Sequence, residues 1–353
     1  MTQPWFNRKR SAFAPLAMTS LLVVFYTIFL ILFVQCRVPF IKCQAIITSY
    51  VYAFDTSKPV ENGQIVKPTP EEEGKARKVM AARYSNRLIW VFLSAVSLIL
   101  CLVAFAASYI LISASPLKLK LPAVVTFSVF LPLVIGGALY FFPDAFMPIM
   151  GTVLKDTIRR GEAGIATIYG VMRLFNSILY AASFSLVFAG CVALFPRDTS
   201  SNLSSQPADE SDLRLRLAGI ASQMQAERIV LYVGTLLLVI GIVRMSVVTQ
   251  WALSFVSPGA VEAVQTLNTG VISTTGGFYT LITAAVYLPA AYILQRRAKF
   301  LVQQQGQPAD NQKETLDKAG LTFSFKETAP RVLAILGPLL AGPIADLVTI
   351  WPK

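Results

Sequence analysis

Arg173 and Arg244 are the charged side chains that enter the long apolar runs of this chain, each near the end of a run. A guanidinium at bilayer depth costs about 2.5–3.5 kcal/mol on insertion scales. It must therefore either reach back to the headgroups along its own stem or face water inside the protein. In the second case Arg173 and Arg244 are contacts for an anion or for a lipid headgroup. Acid chemistry is poorly supplied by comparison. Asp144 sits between Pro143 and Pro148, Asp346 lies in a segment interrupted by Gly-Pro pairs, and neither is set in a recognisable catalytic motif.

Histidine is absent, which removes Ser-His-Asp and Cys-His relays and His-based zinc sites. Cys101 and Cys191 fall inside apolar runs as small packing residues. Cys36 and Cys43 flank Pro39, and a bridge between them needs a chain break there, since a continuous helix would hold them about 10 Å apart. No catalytic residue, cofactor or metal ligand is expected, and the protein is not expected to be an enzyme.

The most polar membrane sequence is Ser273-Thr274-Thr275-Gly276-Gly277. Its order differs from the threonine-and-glycine filters of potassium channels, and no pore helix precedes it. Along one helical face Ser273, Gly277, Thr280 and Ala284 are polar enough to wet and narrow enough to pack. They are the candidate pore-lining residues.

Composition says what must position these groups. The 353 residues are 55% hydrophobic and only 14% charged, with a net charge of +12. Soluble domains carry about 25% charged residues, and several apolar runs here reach the ~20 residues that a bilayer crossing needs. The cations cluster at Arg8–Arg10, Lys75–Arg87, Lys155–Arg160 and Arg296–Lys299, mostly beside apolar runs, where anionic headgroups attract them. Small residues recur inside those runs. Ser177, Ala181, Ser185, Ala189 and Ala193 fall at every fourth position of Tyr169–Phe195. Ser94, Ser97, Cys101, Ala104 and Ser108 alternate three and four apart in the preceding helix. Such seams let helix backbones approach closely in lipid, where packing drives association.

The expected fold is all-α: a polytopic transmembrane bundle of about six spans, with aqueous helical extensions and a broken C-terminal apolar segment. Residues 1–37 form an N-terminal cytoplasmic stub and the first span, Phe13–Val34. Residues 38–68 form an interfacial segment and a loop. Residues 69–296 are the helical membrane domain, opening at Thr69-Pro70-Glu71-Glu72, where a hydroxyl N-cap, proline at N1 and glutamate at N3 make a capping box. That helix is expected to run from water to about Ile112. Pro132 with Gly136-Gly137 predicts a kink in the span Ala123–Phe142. An amphipathic helix from Ser211 feeds into the span Ile229–Trp251, and the sixth span is Gly270–Leu294. Residues 297–353 are a polar linker followed by a re-entrant or docking segment, since Gly337-Pro338 and Gly342-Pro343 argue against one helix. The Lys/Arg distribution favours both termini in the cytoplasm, which leaves the 36–87 connection outside.

The functional expectation is an oligomeric, pore- or channel-like protein of the plasma (inner) membrane, gated by its aqueous segments. Signal-responsive bacterial effectors that depolarise a membrane are a class-level analogy. The expected partners are the bilayer, further copies of the chain, and an anionic, nucleotide-like regulator at the cytoplasmic basic segments. A transporter for a neutral or anionic solute and a non-conducting scaffold subunit are the alternatives.

Overall fold

The computed structural model describes residues 60–61, 64–65, 70–115, 119–140, 165–195, 210–253, 261–304, 309–319, 321 and 325–348. The expected first span, the segment 38–54, both N-terminal cysteines and Asp144 lie outside these residues. Val60–Glu61 (β1) pairs antiparallel with Gln64–Ile65 (β2), and all other regular structure described is helical. The helices are α1 (Pro70–Ser113), α2 (Leu121–Val125), α3 (Leu131–Tyr140), α4 (Ile165–Ala193), α5 (Glu210–Leu253), α6 (Val261–Gln304), α7 (Ala309–Lys318) and α8 (Phe325–Val348). A π-helical turn, Thr126–Phe130, joins α2 to α3. Among the described residues five stretches are long and apolar enough to cross a membrane: Ser85–Ser113, Leu121–Ala138, Gly170–Ala193, Leu213–Trp251 and Asn268–Gln304. The protein is thus an all-α, multi-pass integral membrane bundle.

Helix α5 is the hub, packing on α1, α4, α6 and α8. At one end Trp90, Met172, Val247, Trp251, Ile272 and Ala341 form a cluster from α1, α4, α5, α6 and α8. At the other, Leu217 and Met224 of α5 meet Leu294, Ala298 and Val302 of α6, continuing the bundle beyond the apolar stretch of α5. Leu316 seats α7 on this end, so the expected linker is structured from Ala309 to Lys318. On its outer side the exposed pair Glu314–Lys318 closes at 2.7 Å, and Lys318 holds the Glu314 carboxyl below its ordinary value.

Both small-residue seams are buried within the single chain. Ser94, Ser97, Cys101, Ala104 and Ser108 face inward, as do Ser177, Ala181, Ser185, Ala189 and Ala193. Leu88, Phe92, Ile99, Leu102 and Ile110 occupy the outer face of α1, the arrangement lipid requires. The close approach is real backbone contact: a Cβ on Gly136 of α3 would run into the carbonyl oxygen of Ser177 and the methyl of Ala181.

Prolines open the backbone, and hydroxyls from neighbouring helices close it. In a regular α-helix the Ser128 carbonyl would accept from residue 132, and Pro132 has no N–H to give. Ser185 of the α4 seam donates its hydroxyl to that carbonyl instead. The irregularity expected from Pro132 and Gly136-Gly137 takes the form of the π turn just before Pro132.

The same device corrects the expectation of a broken C-terminal segment. Pro330, Pro338 and Pro343 all lie inside one continuous helix, α8. The carbonyl that Pro338 leaves open, that of Ala334, accepts from Thr235 Oγ1 of α5 at 3.0 Å. On the other flank the Leu339 N–H donates to Thr280 Oγ1 of α6 at 3.1 Å. At Pro338, then, α5 supplies the donor that the proline withholds and α6 accepts from the next N–H, which holds α8 together across that break. Its seat is tight, for a Cβ on Gly276 would stand 2.6 Å from the Pro338 carbonyl oxygen.

Two outcomes follow. Gly276→Ala unseats α8 and lowers stability by about 1–3 kcal/mol in thermal unfolding of the detergent-solubilised protein, while Gly277→Ala, whose Cβ meets nothing within 4 Å, does not. Ser185→Ala costs about 1–3 kcal/mol by orphaning a buried carbonyl. Adding Pro132→Ala, which restores an N–H, recovers most of that loss in a double-mutant cycle.

Candidate functional site

The hub helix carries an unusual load of buried polar side chains: Gln223, Glu227, Thr235, Arg244, Ser246, Thr249 and Gln250. Some serve packing alone. Thr235 closes α8, and Thr249 Oγ1 bonds back to the carbonyls of Met245 and Ser246 on its own helix. Gln223 Nε2 donates to the Phe195 carbonyl at 2.6 Å and Arg297 Nη1 to the Leu194 carbonyl at 2.9 Å. Together they cap the C-terminal end of α4, where carbonyls lack helical partners and favour a cation.

Arg244 differs from these. Its side chain is 4% exposed, so it neither reaches back to headgroups nor opens directly to solvent. One guanidinium nitrogen donates to Asn176 Oδ1 of α4. The group also lies over the Phe175 ring at 5.8 Å from the centroid, a cation–π geometry. Phe175 is itself fixed edge-on by Trp90 of α1. Tyr180 of α4 and Tyr279 of α6 are hydrogen-bonded to each other, and both act electrostatically on Arg244, as does the Cys101 thiol of α1. Among the described residues no carboxylate acts on it, and Nη1 has no hydrogen-bond partner. A desolvated cation with a free donor and no counter-charge is an arrangement suited to an anion.

The other expected residues are distributed differently. Arg173, one turn before Ser177, is half-buried. Its backbone carbonyl accepts the Ser177 hydroxyl at 3.0 Å. Of the proposed pore-lining face, Ser273 is exposed and Gly277, Thr280 and Ala284 are half-buried, with Thr280 engaged in the α6–α8 seam. Asp346 falls in the last turn of α8. Among the described residues no group of three or more His, Cys, Asp or Glu is placed to hold a metal.

Glu227 was not singled out by the sequence reading, because it stands just ahead of the apolar run Ile229–Trp251. It is 1% exposed, and Oε1 has no hydrogen-bond partner. The signal was there: Leu213, Leu217, Ile220, Met224 and Leu231 share one stripe at alternating steps of four and three, and 227 falls on it. Tyr180 and Tyr279, which complete the surroundings of Arg244, are ordinary aromatic residues of apolar runs and gave no such signal.

No family model, curated protein or solved structure matches the chain.

Arg244 and Asn176 predict a stability pattern that separates a structural from a functional arginine. Asn176→Leu alone should lose about 1–3 kcal/mol by stranding the guanidinium. Asn176→Leu with Arg244→Met should equal or exceed the wild-type unfolding temperature, because a buried cation without a carboxylate is replaced at no loss by an apolar side chain of similar size.

Proposed function

We propose that this membrane bundle conducts a small anionic solute across the bilayer, with Arg244 as the interior contact for the anion. The observation that carries this reading is the buried guanidinium with an unpartnered nitrogen and, among the described residues, no acidic neighbour. A cation kept in that condition tends to lose out to an apolar side chain unless something else uses it. Asn176 and Phe175 hold the group in one orientation, while the Tyr180–Tyr279 pair lies close enough to add hydroxyl donors to a bound anion. Arg173, half-buried one turn away from Asn176, is the nearest further cation along α4 and suits the approach to the site.

A second reading, a homo-oligomeric pore of the plasma membrane, is favoured by one surface. Thr266, Thr269, Gly270, Ser273 and Thr274 form an exposed hydroxyl-and-glycine face at the start of α6. Both small-residue seams are used inside the chain, and this face is the one rich in exposed small and hydroxyl residues that self-association would use. In that assembly Ser273 and Gly277 border the conduit, and an anionic regulator would act at the basic ends of α5 and α6.

Anion flux in proteoliposomes, read with a chloride- or phosphate-sensitive dye under a potassium-valinomycin clamp, tests both. Arg244→Lys retains part of the flux, and Arg244→Gln loses about 10- to 100-fold, the equivalent of one charged hydrogen bond of ~1.5–3 kcal/mol. Equal flux in wild type and Arg244→Gln overturns the anion contact. Flux abolished by Ser273→Leu but untouched at Arg244 selects the oligomeric pore.

A further inference from the structure

The second buried charge of the hub lies at the opposite end of its apolar stretch. Glu227 and Arg244 are 17 positions apart on α5, about 25 Å at the helical rise, close to the thickness of a hydrocarbon core. The Glu227 carboxyl lies against α4 where Gly190 leaves it room. A Cβ at that position would stand 3.5 Å from Oε2 and 3.6 Å from Oε1. Around it, α4 presents the Cys191 thiol and α6 presents Tyr287, 4% exposed and with a hydroxyl that has no hydrogen-bond partner. Arg228 and Tyr232 on α5 and Arg331 on α8 act on Tyr287 together with Glu227. At the level of Ala189, α1 contributes the apolar Ile112.

We propose that Glu227 is a proton-binding site in the bundle interior, exchanging one proton with the aqueous phase at the α5–α6–α7 end. A buried carboxylate with Oε1 unpartnered is costly to keep ionised, and one proton removes the charge. Binding converts the carboxylate and a hydronium ion into a carboxylic acid and water, and release reverses this, so the interior charge changes by one with no other bond altered. The chemistry favours a proton over a metal cation. Among the described residues a single carboxylate stands here with no further acid beside it, too few hard oxygen ligands for a sodium or calcium ion. Arg228, the next residue of α5, is half-buried, and the polar Gln223 and Arg297 mark the same end of the bundle.

The site is independent of the anion reading and does not require transport to be detected. In nanodiscs, infrared difference spectra between pH steps should contain a carboxylic C=O band that Glu227→Gln lacks. The pH dependence of thermal unfolding should flatten in the same variant. Superimposable spectra and unchanged pH dependence overturn the proposal. Wild-type protein labelled with 13C-glutamate gives a readout without substitution, in case Glu227→Gln does not fold. One carboxyl resonance titrating apart from the rest supports the site, and all glutamates titrating together overturns it.

Discussion

Every peptide group placed in hydrocarbon must find its hydrogen bond within the protein, and that requirement organises this bundle more than apolar burial does. Helices meet it by themselves until a proline removes a donor. Here two prolines do so at places where a neighbouring helix presents a hydroxyl: Ser185 to the Ser128 carbonyl, and Thr235 to the Ala334 carbonyl. These bonds link non-neighbouring stretches of the chain, so a local irregularity becomes a specification of which helices touch and at what height. Ser185 of the α4 seam thus has two roles, being small enough for contact and polar enough to repair a partner's backbone.

Polarity beyond backbone repair is concentrated on α5. Arg244 at one end of its apolar stretch and Glu227 at the other are both buried, about 25 Å apart, too distant to neutralise one another as a pair. Their neighbourhoods are unlike. Arg244 rests on an aromatic ring and an amide, fixed in orientation. Glu227 has Oε1 without a partner and the small Gly190 beside it. The bundle interior therefore offers opposite electrostatic character at its two ends, consistent with a molecule that handles charge.

Much of the fold was legible where sequence features act locally or periodically. The Thr69-Pro70-Glu71-Glu72 signal placed the start of α1, and the absence of proline up to Pro116 placed its end. The spacing of Ser177–Ala193 and Ser94–Ser108 identified buried faces, though not whether they bury against this chain or another copy. The continuity of α8 is not legible in the sequence, since Gly337-Pro338 is a breaker unless Thr235 and Thr280 stand beside it, a fact of tertiary structure. Helix α7 looks like linker in the sequence because eight of its ten residues are polar and conceal the one leucine that docks it. Glu227 stands ahead of the apolar run Ile229–Trp251, yet it falls on the inward stripe that begins with Leu213, and only that stripe marks it as buried.

The slot that receives α8 is built from α5 and α6, which precede it in the chain. During synthesis at the ribosome those two helices enter the membrane with a notch already cut between them, walled by Gly276, Thr235 and Thr280. The segment made later is proline-rich and short of apolar length for independent insertion by a translocon. It has a ready-made berth rather than a bare lipid phase to enter, so its integration belongs to assembly within the protein and follows the topogenesis of the other helices.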